Sequence, residues 1–243
     1  MPRFFMAGTN ILGGMAIMTG RDAEHVRVLR LRPGEDMIIC DGKGTDYKCR
    51  FVRADKEQVE AEVIEIVPCP AEPSVKVSVL CGLPKGDKTD YIIQKSVEAG
   101  AEEIIFFMSS RCIAKPDKPE KKLERWQRIA EEAAKQSGRG IIPEVKWAGE
   151  YAEALNIANQ KDLGLFMYET GEREALNTVL EANRNVGSIA IVTGPEGGFA
   201  PFEADLARIV GLHICSMGER ILRCETAPVV ALSAAMYATG NLS

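Results

Sequence analysis

Thr193-Gly194-Pro195-Glu196-Gly197-Gly198-Phe199 and Met217-Gly218-Glu219-Arg220-Ile221-Leu222-Arg223-Cys224-Glu225-Thr226-Ala227 decide how this chain is read. Each stretch stands where an apolar run hands over to a helical pattern. Residues 186–192 read as a buried strand and 201–210 as a helix with Pro201 at its start. Residues 212–217 read as a second strand, and from Glu225 onward the pattern is helical again. Strands alternating with helices build α/β sheets, and in open sheets of that kind ligands bind at the carboxyl ends of the strands. Glycine in such a loop lets backbone amides approach a ligand closely. Two such loops from nearby strands predict one shared site.

Upstream, the pattern changes near residue 70. Before it lie strand-like pieces at 36–40, 47–52 and 59–67 with an Asp41-Gly42-Lys43-Gly44 turn, spacings that predict a small antiparallel barrel or sheet. Pro68, Pro70 and Pro73 form a stiff linker. After it, strands are expected at 75–81, 104–108 and 163–168, with a short strand or loop at Val145. Helices are expected at 89–99, 120–136, 152–158 and 172–182. The helix at 120–136 carries Leu123, Trp126, Ile129, Ala130 and Ala133 on one face, which makes Trp126 a core residue. The expected organisation is a small β domain over 1–70 and an α/β domain with a mainly parallel sheet over 71–243.

Composition narrows the function classes. A chain of 243 residues with 46% hydrophobic and 27% charged residues supports buried cores and a solvated surface. Its apolar runs fall short of a membrane span. The first twenty residues or so are too broken by Thr9, Asn10 and glycines to read as a signal peptide. Seven scattered cysteines without a CxxC pair and two histidines predict neither a zinc site nor a disulfide framework. A reducing cytoplasm fits that usage. The net charge of −5 does not announce a nucleic-acid binder, but residues 109–139 hold nine Lys/Arg against five Asp/Glu. A smaller surplus comes from Arg21, Arg27, Arg30 and Arg32 against Asp22 and Glu24. The dinucleotide fingerprint GxGxxG, the phosphate loop GxxxxGK[ST] and a nucleophile elbow are all absent.

Taken in order, the segments resemble one family. GPEGGF at 194–199 and Arg220-Ile221-Leu222-Arg223-Cys224-Glu225-Thr226-Ala227 are similar to two signature motifs of the RsmE-type SPOUT methyltransferases. So are the segment from Lys85 to Glu98, Ser110-Arg111-Cys112, Glu132 to Arg139, and Pro143. Pro2-Arg3-Phe4-Phe5 and the run from His25 to Glu35 resemble the family's PUA-like RNA-binding domain. The resemblance implies a PUA-like β-barrel followed by a SPOUT domain with a deep trefoil knot, a homodimer, and no metal. It also implies methylation of N3 of a uridine in 16S (small-subunit) ribosomal RNA near the decoding region, with S-adenosylmethionine as donor and naked rRNA or the assembled 30S subunit as partner.

Residue by residue, the resemblance implies that Gly194, Pro195, Glu196, Gly197 and Gly198, with Met217, Gly218, Ile221, Leu222 and Arg223, hold the cofactor. Arg223 is the first candidate for stabilising charge on the pyrimidine. Glu225, Glu196 and Glu169 are candidate proton acceptors, and Glu225 could equally cap the last helix. Arg3, Arg27, Arg30, Arg111 and Arg139 are expected on the RNA side. Two alternatives stay open: a SPOUT enzyme acting on tRNA or large-subunit (23S) rRNA, including ribose 2′-oxygen, and a non-catalytic RNA-binding ribosome assembly factor.

Overall fold

The computed structural model describes residues 1–6, 11–113 and 119–242, with backbone alone at 21, 22, 119 and 120. Thr9, Asn10, Lys115, Asp117 and Lys118, and the side chains of Arg21, Asp22 and Glu120, lie outside the described residues. The chain forms two compact units, Met1–Glu72 with Ala134–Ile142, and Pro73–Ala133 with Pro143–Ser243.

The first unit contains β1 (Arg3–Phe5), β2 (Ile11–Leu12), β3 (Met15–Thr19), α1 (Gly20–Leu29), β4 (Asp36–Cys40), β5 (Thr45–Ala54) and β6 (Gln58–Pro68). Its six strands pair in the order β1-β4-β5-β6-β3-β2. Alternation along β5 turns Cys49 and Phe51 inward and Lys48, Arg50 and Val52 outward, as a half-buried strand requires. Phe4, Met18, Met37, Ile39, Val59 and Ala61 form the core with Ala23 and Val26 of α1. Two expectations change here. The pairing of β1 with β4 is parallel. Helix α1 was not expected, because its apolar positions are few and its polar residues dominate.

Residues 134–142 complete this unit. Lys43 bridges Ile141, and Gly44 N–H donates to Gly140 O at 3.2 Å. Glu72 accepts the backbone N–H groups of Gly140 and Ile141 at 2.8 and 2.9 Å and the Arg139 guanidinium at 2.7 Å.

The second unit contains β7 (Lys76–Gly82), α2 (Lys88–Glu98), β8 (Glu103–Met108), most of α3 (Pro119–Ser137), β9 (Glu144–Glu150), α4 (Tyr151–Asn159), β10 (Leu163–Met167), β11 (Glu174–Ala175), α5 (Leu176–Ala182), β12 (Ser188–Thr193), α6 (Pro201–Ile209), β13 (His213–Ser216) and α7 (Ala227–Ala238). Seven strands pair in the order β11-β13-β10-β12-β7-β8-β9, and every pairing is parallel. Parallel strands covered on both faces read as continuous apolar runs, which is why β7, β8 and β12 are buried almost end to end. Leu80, Ile105, Phe107, Phe166, Val192 and Ile214 form the core, packed by small residues such as Ala154 and Ala204 of the helices. Trp126 is 2% exposed and lies 4.8 Å from Phe106 between ring centroids, a core residue as its helix face predicts.

Two elements depart from expectation. Val145 belongs to a full edge strand, β9. The expected helix at 172–182 begins only at Leu176, because Glu174 and Ala175 pair with Cys215 and Ser216 as strand β11.

Candidate active site

Strands β7, β12, β10 and β13 run parallel in the order β13-β10-β12-β7, so their carboxyl ends open on one side of the sheet. The two glycine loops therefore do not leave adjacent strands: β10 lies between β12 and β13. Its end brings Met167, Tyr168 and Glu169 into the same place. The chain reverses direction across the sheet here, since β12 is added on one side of β10 and β13 on the other, and such switch points leave a crevice. A cavity of about 380 Å³ fills it, within the range of small-molecule sites.

Phe199 anchors the first loop. It is 1% exposed, and its ring lies 4.3 Å from that of Phe166 and 6.4 Å from that of Phe107. One turn on, Glu203 accepts Ala200 N–H at 2.8 Å, which starts α6. Inside the loop, Gly198 has φ +63°, and a Cβ there would stand 2.5 Å from Glu169 Oε1. The approach of β7 is equally close: a Cβ on Gly82 would meet Pro195 Cδ at 2.6 Å. Glycine is required at both positions, at one by backbone conformation and contact and at the other by contact alone.

Lys88, the first residue of α2, organises the charges. Its Nζ lies 2.8 Å from Glu196 Oε1 and 3.6 Å from Glu225 Oε2. The same Glu196 oxygen accepts Lys85 N–H at 2.9 Å. Burial alone would raise the Glu196 carboxyl, but Lys88 and the Lys85 N–H outweigh it and hold it below the ordinary range. Burial also opposes Glu225, whose own backbone N–H, the Cys224 thiol and Lys88 leave it lowered. The hydrogen bond to Glu196 raises Lys88 in turn. Burial, with the adjoining carboxylates, pushes the Cys224 thiol up to about 12, so that sulfur is a neutral donor to Glu225 at 3.3 Å.

Of the residues expected to hold a cofactor, Gly194, Pro195, Glu196, Gly198, Met217, Gly218, Ile221, Leu222 and Arg223 line the cavity. Gly197 does not: it packs against Arg111, whose Nη1 donates to its carbonyl at 3.0 Å. The Ile221 side chain points largely to solvent at 86% exposure, which leaves its backbone for the cavity. Glu225 is not the cap of α7, since Thr226 occupies that position and no side-chain cap bond forms.

The arginines expected on the RNA side divide. Arg27 and Arg30 stand at the end of α1, Arg30 exposed and Arg27 donating to the carbonyls of Asp55 and Lys56 at 2.9 and 3.0 Å. Arg111 is exposed beside the first loop. Arg3 and Arg139 are instead structural. Arg3 holds both Asp46 oxygens at 2.7 Å, and Arg139, 3% exposed, is bound to Glu72. Both guanidiniums are ion-paired with carboxylates of the first unit.

Lys88, Tyr168 and Arg173 line the cavity without having been singled out in the sequence. Lys88 sits in the segment Lys85-Gly86-Asp87-Lys88, whose position after a strand was the available signal.

Residues 70–236 match the family described as RNA methyltransferase domain, and residues 18–64 match RNA methyltransferase PUA domain. The chain belongs to this RNA methyltransferase family. It is 38% identical over 231 residues to ribosomal RNA small subunit methyltransferase E of Bacillus subtilis, covering 91% of this chain and 90% of that protein. Its fold is similar to the crystal structure of ribosomal RNA small subunit methyltransferase E from Neisseria gonorrhoeae bound to S-adenosyl methionine. That likeness has a TM-score of 0.85 at 33% identity, over 98% of this chain and 97% of the other. A putative methyltransferase of Legionella pneumophila in complex with the same cofactor gives a TM-score of 0.82 at 28% identity, over 97% of each chain.

Proposed function

We propose that this chain transfers a methyl group from S-adenosylmethionine to N3 of a uridine in 16S (small-subunit) ribosomal RNA, near the decoding region. The observation that carries this reading is the convergence of both glycine loops on one cavity in a chain of this family. The walls fit the cofactor's chemistry. Pro195, Phe199, Met217 and Leu222 offer apolar surface to a base, and Glu169, Arg173 and Arg220 offer charges to a zwitterionic tail. When bound, S-adenosylmethionine supplies a methyl group already activated by its positively charged sulfur.

The chain's own task is then alignment and charge management. Orientation of reacting atoms supplies up to about 7–11 kcal/mol in the best cases. Uridine N3 carries a proton at neutral pH, so the site must accept it and stabilise the anion that forms. Arg223 is placed for the second role: it lines the cavity and forms no ion pair among the described residues. Its carbonyl accepts Thr226 and Ala227 N–H at 2.9 Å, which fixes its backbone. Among the three candidate proton acceptors, Glu196 and Glu225 are held ionised by Lys88 and are weak bases. Glu169, which has no ion-pair partner among the described residues, is the proton acceptor in this reading.

Arg27, Arg30 and Arg111 are the RNA contacts of the proposal. The proposal includes a trefoil-knotted path, for which the insertion of β12 between β7 and β10 is support. It includes a homodimer too. Helix α7 is apolar on all sides, a pattern that calls for burial all round, yet Val230 and Tyr237 are 41% and 76% exposed. No helix among the described residues is long and apolar enough to cross a membrane, and a cytoplasmic location belongs to the same reading. The deciding experiment incubates the protein with labelled S-adenosylmethionine and 30S subunits, or naked rRNA, and maps the product by nucleoside mass spectrometry. 3-Methyluridine is the expected product; a ribose 2′-O-methyl product, or no transfer, refutes the assignment.

A further inference from the structure

We infer that Lys88 is a positioning residue for methyl transfer, an ammonium strap that ties the first glycine loop to the second; the inference rests on the methyltransferase reading above. The segment from β7 to α2 grips the first loop at three points. Gly82 lies against Pro195, Lys85 N–H donates to Glu196 at 2.9 Å, and Lys88 Nζ donates to the same oxygen at 2.8 Å. Lys88 then reaches across to Glu225 at 3.6 Å and to Cys224 Sγ at 3.7 Å. Among the described residues it is the one side chain ion-paired with carboxylates of both loops.

Two carboxylates that share one ammonium repel each other once it is removed, and one of them then keeps its proton to higher pH. The loops they belong to carry the cavity walls on opposite sides: Gly194, Pro195 and Gly198 on one, Met217, Gly218 and Leu222 on the other. Loss of the strap should therefore spread the walls apart. Lys88 has its charge committed to these partners, while Arg223, in the same cavity, forms no ion pair among the described residues. That division makes Lys88 the group that sets the geometry and Arg223 the group that meets the pyrimidine.

The test uses the full chain as Lys88→Met, Lys88→Arg and the double variant Lys88→Met with Glu196→Gln. Folding is verified by circular dichroism and thermal unfolding, and Lys88→Gln serves if the Met variant does not fold. S-Adenosylmethionine affinity is measured by calorimetry, and kcat and KM on 30S subunits are measured across pH. We expect the Met variant to bind cofactor about tenfold more weakly, the worth of one charge-assisted contact. Its kcat should fall more than KM for RNA rises, and its activity should recover toward acid pH as a carboxylate protonates. Arginine, and removal of the Glu196 charge, should each restore much of the loss. Wild-type affinity and an unchanged pH profile in the Met variant would overturn the strap. So would failure of both rescues. A wild-type chain that binds no cofactor would overturn the methyltransferase reading, and the strap with it.

Discussion

Glu203, 1% exposed, accepts the backbone N–H of Ser110 and the Ser110 hydroxyl, each at 2.9 Å. The same carboxylate accepts Ala200 N–H, so one buried group fixes both the start of α6 and the segment that carries Arg111. Replacing it leaves the buried Ala200 N–H without its acceptor and removes both bonds to Ser110. Glu203→Ala should cost about 2–3 kcal/mol of stability, measured by urea unfolding. A cost within experimental error would remove Glu203 from this role.

Gly198→Ala combines a left-handed backbone with a Cβ only 2.5 Å from Glu169 Oε1. We expect a penalty of about 1–3 kcal/mol and a large loss of S-adenosylmethionine affinity, because the loop must move away from Glu169 to fit the methyl group. Calorimetry and thermal unfolding together read both effects. Unaltered affinity would mean that this turn is not part of the cofactor wall.

Arg223→Ala should lower kcat about 10²–10³-fold while the thermal midpoint stays near that of the wild type, since the side chain forms no ion pair among the described residues. Single-turnover transfer to 30S subunits is the measurement. Wild-type turnover in this variant would transfer the charge-stabilising role elsewhere in the cavity.

At the opposite end of the sheet, Glu103 accepts Ser78 Oγ at 2.6 Å, Lys146 Nζ at 2.8 Å and Lys161 Nζ at 3.0 Å. Burial would raise this carboxyl, but these partners pull it down to about 2 from the ordinary 4.5. A lowered folded-state value stabilises fully above the unfolded one, and that stability is lost as pH falls toward and through about 2. Glu103→Gln should therefore be less stable than wild type at neutral pH, with the difference narrowing in acid. Denaturant midpoints at pH 7 and about pH 3 decide it, and a gap that stays constant with pH would contradict the pairing.

The two glycine loops were legible because strand-to-helix transitions bearing Gly and Pro have few other uses, and their order is specific. The third contributor, the end of β10, entered the sequence reading only through Glu169. Met167 and Tyr168 carry no turn motif, and only the strand order brings them beside the loops. Lys88 was missed for a related reason, since its partners Glu196 and Glu225 come from distant parts of the chain. The ion pairs of Arg3 with Asp46 and of Arg139 with Glu72 were not legible, because neither a motif nor a tally of arginines separates those facing solvent from those bound to an internal acid. Residues 174 and 175 show the same limit in the backbone: a helical pattern gave way to pairing with β13.

The N-terminal unit closes only with residues 134–142, where Glu72 receives Arg139, Gly140 and Ile141. On the ribosome, then, the first residues synthesised cannot reach their finished state when they emerge. They must wait until nearly half of the remaining chain has followed, and with it the first strands of the catalytic sheet. The amino-terminal unit is in this sense finished by its successor, so a nascent chain holds no complete PUA unit before the methyltransferase half is already under way.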